Sequence, residues 1–155
     1  MHIVFTVNGK KREADVEPRV LLVDLLRDSG LLSVHQGCDE GRCGACTIIM
    51  DGAAVKSCLL FGVQADGSSI LTSEGLSSEG GLHPLQEAFS ECAAVQCGFC
   101  TPGVLMTSYD LLQRSPGLDE ASVRKAIEGN ICRCTGYSGI VDAILKASRS
   151  IRSEG

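Results

Sequence analysis

The sequence predicts an α+β chain with a β-rich first half and a helical second half. Three observations predict it. Apolar and polar residues alternate through Ile3, Phe5 and Val7, and short runs of this kind recur as far as Thr72. Asn8-Gly9 and Asp51-Gly52 are hairpin signals, because both turn positions require positive φ. Beyond the Ser/Gly-rich stretch from Ser73 to Gly81, strand signals give way to apolar residues at helical spacing.

The elements follow in order. Ile3 to Val7 reads as a strand, Asn8-Gly9 as its turn, and Lys11 to Val16 as the return strand. Pro18 breaks the pattern. Leu21, Leu22, Leu25 and Leu26 make a helical face that Gly30 ends. A Gly- and Cys-rich loop runs from Gly37 to Cys46. Thr47 to Met50 and Ala53 to Ser57 form a second hairpin, and Ser69 to Thr72 a last short strand. In the second half, Leu82, Leu85, Ala88 and Phe89 give one helical face. Thr101-Pro102 reads as an N-cap and first-turn pair opening a helix to about Gln113, stopped by Pro116-Gly117. Asp119 caps a third helix carrying Val123, Ala126 and Ile127. Ile140, Val141, Ile144 and Leu145 mark a fourth. The expected division is 1–76 and 77–155.

Composition narrows the function. The chain has 155 residues, 44% of them apolar, enough for a packed core and against disorder. Net charge is −5 with no long run of one sign, which argues against nucleic-acid binding. No stretch is apolar for long enough to span a bilayer, and the first residues lack the charged start of a signal peptide. A cytoplasmic location is expected. Nine cysteines in such a chain point to metal binding or redox chemistry rather than disulfides.

Cys38, Cys43 and Cys46 are spaced C-x4-C-x2-C, and Cys58 follows after eleven intervening residues. The triplet matches the plant-type [2Fe–2S] spacing. Gly37, Gly41 and Gly44 let the loop curve where a Cβ would interfere, and let N–H groups approach the sulfurs. A four-cysteine zinc site prefers two matched short knuckles, and this group is a triplet plus one. The spacing favours iron–sulfur.

Cys97 and Cys100 form C-x2-C, and Cys132 and Cys134 form C-x-C after thirty-one intervening residues. From the residues alone, zinc and a second cluster stand nearly even. Cys92 adds an ambiguity, because Cys92, Cys97 and Cys100 repeat the spacing of the first loop. Cys92 lies in a stretch without loop glycines, in the helix begun near Leu82, and reads as a small core residue.

The surrounding residues carry a resemblance. Gly37-Cys38, Gly41 to Thr47 and Ser57-Cys58 resemble the first cluster motif of the molybdenum hydroxylases. Gln96 to Gly103 and Gly129 to Tyr137 resemble the second. This is the xanthine dehydrogenase, aldehyde oxidase and aerobic carbon monoxide dehydrogenase family, and the resemblance spans nearly the whole chain. It implies a plant-type ferredoxin-like β-grasp domain followed by a four-helix bundle. It also implies the iron–sulfur subunit of a multi-subunit oxidoreductase, with no substrate chemistry on this chain. One [2Fe–2S] cluster would lie on Cys38, Cys43, Cys46 and Cys58, and one on Cys97, Cys100, Cys132 and Cys134. Gln96 and Cys134 would approach the pterin. Electrons would pass from molybdopterin, in its cytosine dinucleotide form, on a large subunit, to FAD on a medium subunit. The complex would be a dimer of heterotrimers. Val55 to Cys58 and Val63 to Ala65 lean weakly toward carbon monoxide dehydrogenase small chains. N-heterocycle, purine and aldehyde dehydrogenases are alternatives, as is a free-standing ferredoxin.

Other residues read as ordinary. His2, His35 and His83 are isolated, with surface or packing roles, and His83-Pro84 marks a helix start. Tyr137 packs the second loop, and Arg133 counters charge beside it. Asp39 and Glu40 form a solvated edge. Arg124, Lys125, Lys146, Arg149 and Arg152 make a solvated basic face. No nucleophile–base pair, phosphate loop or paired catalytic carboxylates are present.

Overall fold

The structure, a computed structural model, describes residues 1–77, 81–115 and 117–153. Part of the Ser/Gly-rich stretch, 78–80, and the helix stop read at Pro116 lie outside the described residues.

The first half holds five strands and one helix. Strands β1 (His2–Val7) and β2 (Lys10–Asp15) form the first hairpin. Helix α1 (Leu22–Asp28) follows, then β3 (Thr47–Met50), β4 (Ala53–Lys56) and β5 (Ser69–Leu71). The sheet order is β2-β1-β5-β3-β4, with β1 and β5 parallel and the other neighbours antiparallel. Asn8 and Gly9 take φ of 50° and 76°, and Asp51 and Gly52 take 51° and 83°. Both hairpin turns are therefore of the kind their dipeptides predict. β2 is exposed and charged, which suits a sheet edge.

The second half holds α2 (Pro84–Glu91), α3 (Thr101–Arg114), α4 (Glu120–Ala126) and α5 (Ser138–Ser153). Two expectations shift. Leu82 does not join the face of α2. The ring of Pro84 fixes the first helical residue, His83 caps it, and Leu82 stays outside and exposed. The N-cap of α3 is Cys100 rather than Thr101; Thr101 already has helical geometry and its buried hydroxyl finds no partner. Asp119 caps α4 as expected, accepting from Ser122 N–H at 2.8 Å.

The sheet is covered on both faces. Ile3, Phe5, Val7, Ile48 and Ile70 pack with Leu22, Val23 and Leu26 of α1. Ile49 points the other way and joins Leu85, Phe89, Val104, Met106, Ile140 and Ile144 in the helical core, with Ala54 and Leu71 packed against it. α3 lies directly on β3 and β4. The Asp110 carboxylate on α3 accepts from the Ala54 N–H at 3.3 Å. Gly103 sits where a Cβ would collide with the Gly44 carbonyl oxygen and press on the Ala45 Cα. Here the missing side chain permits the approach of two backbones.

Two outcomes test this packing. Gly103→Ala should destabilise the protein by about 1–3 kcal/mol, the usual range for overpacking, read as a lower thermal midpoint. Burial holds the His83 pKa below the usual histidine range, and its neutral Nδ1 accepts from Leu85 N–H at 3.2 Å. The stability this contributes is present above the unfolded value of about 6.5 and is lost as pH falls through the folded value. Asn at position 83 caps without titrating. The midpoint of His83→Asn should therefore fall less steeply than the wild type's between pH 8 and pH 5.

Candidate functional site

The first cysteine loop is shaped by the residues around it. The Cys38 sulfur accepts the N–H groups of Arg42 and Cys43, each at 3.3 Å. The N–H groups of Cys43 and Glu40 are the main reasons its pKa is brought down to about 7. Lys56 Nζ donates to the Gly41 carbonyl at 2.5 Å and pins the middle of the loop. The Ser57 hydroxyl donates to the Cys46 carbonyl at 2.8 Å, which brings the next residue, Cys58, alongside Cys46. At Gly37 the constraint is space rather than φ. A Cβ there would lie 3.1 Å from the Cys43 sulfur and 3.2 Å from the Phe99 ring.

The second loop is closed by Tyr137. Its hydroxyl accepts the Cys132 N–H at 2.8 Å and donates to the Asn130 carbonyl at 3.2 Å. Its N–H reaches back to Thr135 Oγ1 at 3.2 Å, across the left-handed pair Gly136 and Tyr137, with φ of 65° and 70°. Tyr137 thus holds the loop, as expected. Arg133 is exposed.

The thiols meet in pairs. Among the described residues, no group of three or more His, Cys, Asp or Glu side chains gathers as a single metal ion would require. Instead the Cys43 thiol lies beside Cys38, and Cys58 beside Cys46, each close enough to perturb its neighbour's titration. In the second group Cys100 neighbours Cys132, and Cys134 neighbours Cys97. Burial, with the Cys46 thiol beside it, pushes Cys58 up to about 11. Burial, with Cys132 beside it, pushes Cys100 up to about 12. Burial also raises Cys132, but Thr135, the Cys134 N–H and Cys100 together outweigh it and bring the thiol to about 7. Within each group the two pairs interact electrostatically, as Cys58 does with Cys38 and Cys134 with Cys132. Two pairs of thiols facing one another suit two irons bridged by sulfide, whereas a zinc ion asks for four thiolates about one centre. The donor sets fit [2Fe–2S] clusters.

The two loops touch. The Ile131 N–H donates to the Cys43 carbonyl at 2.8 Å. Next to it, the buried Asn130 side chain donates to the Gly44 carbonyl at 3.1 Å. Phe99, between Cys97 and Cys100, stacks on His35 with ring centroids 4.8 Å apart, and the Phe99 carbonyl lies 2.7 Å from His35 Nδ1.

Of the residues singled out in the sequence, eight cysteines fall into these two groups. Gln96 is exposed beside the exposed Cys97 and Cys134. Cys92 is the C-cap of α2, half-buried against the helical core and within electrostatic reach of Lys146. Three roles were missed. His35, read as isolated, bridges the halves. Asn130 and Thr135 carry no signal of their own in the sequence. The partner of Asn130 lies in the other loop, 86 positions away, and those of Thr135 are Cys132 and Tyr137 in its own loop, which only the folded turn brings to its hydroxyl.

Residues 5–77 match the family of 2Fe-2S iron-sulfur cluster binding domains, and residues 72–145 match the [2Fe-2S] binding domain family. The chain is 52% identical to the nicotine 6-hydroxylase small subunit of Paenarthrobacter nicotinovorans, over 94% of this chain and 88% of that one. It is 44% identical to the xanthine dehydrogenase iron-sulfur-binding subunit of Escherichia coli O157:H7, over 94% of this chain and 92% of that one. The chain is an iron–sulfur subunit of the molybdenum hydroxylase family. A chain of quinoline 2-oxidoreductase from Pseudomonas putida 86 superposes with a TM-score of 0.94 at 47% identity, covering 99% of this subunit and 96% of that chain. The subunit therefore carries the family's ferredoxin-like domain and helical domain, two [2Fe–2S] clusters, and an electron-transfer role in an oxidoreductase complex. No described helix is long and apolar enough to cross a membrane.

Asn130 offers a test of the contact between the loops. Asn130→Ala loses the bond to Gly44 and should cost about 1 kcal/mol of stability. Asn130→Asp should cost more, because it sets a carboxylate oxygen against a carbonyl oxygen in a buried place. Thermal midpoints of the two variants should fall in that order.

Proposed function

We propose that this subunit carries electrons from a molybdopterin centre in a large subunit to FAD in a medium subunit. The way in is the Cys97, Cys100, Cys132 and Cys134 group, and the way out is the Cys38, Cys43, Cys46 and Cys58 group. The observation that carries this is the Ile131 N–H to Cys43 carbonyl bond. It links the neighbour of one proposed ligand, Cys132, directly to another, Cys43, so a short bonded path joins the two groups. The clusters, when bound, supply one-electron acceptors whose potentials follow charge, hydrogen bonding and burial.

The exposures support this direction. Cys97 and Cys134 lie exposed at one end, with Gln96 beside them, where a partner's pterin can approach. Cys100 and Cys132 are buried, and Ile131, next to Cys132, bonds the first loop. Cys38 and Cys43 are half-exposed on the other group. The proposed units are 1–76 and 77–155, each with one cluster. Nine cysteines without a disulfide among the described residues suit a reducing cytoplasm. Molybdopterin in its cytosine dinucleotide form and a dimer of heterotrimers complete the proposal.

An N-heterocycle is the proposed substrate class of the complex. Nicotine 6-hydroxylase and quinoline 2-oxidoreductase are both named for such compounds. The lean toward carbon monoxide dehydrogenase rests on Val55 to Cys58 with Val63 to Ala65. The Lys56 and Ser57 side chains hold the cysteine loop, so the first of these stretches reflects framework. Purine and aldehyde substrates remain the alternatives that assays of the purified complex separate.

The purified complex should contain about four irons and four acid-labile sulfides per copy of this subunit, counting two [2Fe–2S] clusters. Cys134→Ala should lose half the iron and one of two reduced EPR signals. Cys92→Ser should keep all of it. A lone small species carrying the iron in native extract would favour a free ferredoxin, and zinc without sulfide would overturn both readings.

A further inference from the structure

The Cys132 sulfur has a partner unlike that of Cys38. Backbone N–H groups approach both sulfurs, and Cys132 in addition lies 3.1 Å from the Thr135 hydroxyl. A threonine hydroxyl has one proton and two lone pairs. The Tyr137 N–H occupies a lone pair of Thr135 Oγ1 at 3.2 Å. Tyr137 is itself fixed, because its hydroxyl takes the Cys132 N–H and donates to the Asn130 carbonyl. The loop from Cys132 to Tyr137 is thus closed at both ends, and the Thr135 proton is left for the sulfur. A thiolate that ligates iron has no proton of its own and only accepts.

We propose that the Thr135 hydroxyl is a dedicated hydrogen-bond donor to the Cys132 sulfur and raises the reduction potential of the second cluster. The proposal rests on the reading of Cys132 as a cluster ligand. Reduction adds one negative charge to the cluster, and a donor on a ligating sulfur stabilises that charge. Thr135 therefore favours arrival of an electron at the group that faces the proposed electron donor. It is a positioning residue, acting through Cys132 rather than on substrate.

The test is a redox titration of the purified complex followed by EPR, with the signal lost in Cys134→Ala marking the second cluster. Iron and sulfide counts come first. Wild-type protein without two clusters would refute the underlying reading rather than this proposal. Thr135→Val, which keeps the shape and removes the hydroxyl, should lower the midpoint of the second cluster and leave the first unchanged. Thr135→Ser, which restores the hydroxyl, should titrate as wild type. A fully loaded Thr135→Val whose second cluster keeps the wild-type midpoint would overturn the proposal, as would an equal shift of both clusters. Should Thr135→Val lose its second cluster, proton ENDOR of the reduced wild type decides. A D2O-exchangeable coupled proton whose orientation places it between Thr135 Oγ1 and the Cys132 sulfur is expected, and its absence would overturn the assignment.

Discussion

The Gly44 carbonyl oxygen is the point on which the arrangement turns. It accepts the Thr47 N–H and hydroxyl from its own loop, at 3.2 Å and 2.7 Å, and the Asn130 side chain from the other, at 3.1 Å. Gly103, at the start of α3, leaves room for it. The first interaction shapes the turn that carries Cys43 and Cys46. The second fixes where the helical half sits, because Asn130 immediately precedes Ile131, whose N–H meets the Cys43 carbonyl. Thr47 alone would satisfy this carbonyl, so what displacing the helical half leaves unpaired is the buried Asn130 amide.

Around that point the chain solves an electrostatic problem. A cluster on four thiolates is anionic, and each group of cysteines has two buried members, Cys46 and Cys58 in the first and Cys100 and Cys132 in the second. N–H groups, the Thr135 hydroxyl and the N-terminal end of α3, whose cap is Cys100, all present positive ends toward the sulfurs. The pull is built mostly from the backbone, which explains the density of glycines and left-handed residues near the cysteines. Asp39, Gly41 and Gly44 all have positive φ in the first loop, and Gly98, Gly136 and Tyr137 do in the second.

Much of the fold was legible because its signals are local. Period-two alternation gave β1, two dipeptides gave the hairpins, and Asp119 gave the start of α4. The misses come from competition between neighbouring signals or from distance. Thr101-Pro102 is a good cap pair, but Cys100 already has αR backbone angles, so the helix starts one residue earlier and Cys100 takes the cap. Leu82 fits the period of α2, but Pro84 sets the start. His35 meets Phe99, 64 positions away, through packing that no window along the sequence contains. The cysteine pairs show the same limit. In the first group neighbours in sequence pair with each other, while in the second the outer two pair and the inner two pair. Spacing gives the members of each group and is silent on the partners.

The two-sided burial of the sheet has a consequence for how such proteins are inherited. Ile49, Ala54 and Leu71 form the floor of the helical core, not a finished outer wall of the ferredoxin-like half. Cut apart, each half would present a greasy scar to its surroundings, an invitation to aggregation. The two modules are thus better understood as one unit of evolutionary exchange. A recombination event that moved one without the other would have to rebuild a surface as well as an electron path. Engineers seeking a minimal wire from this scaffold face the same seam.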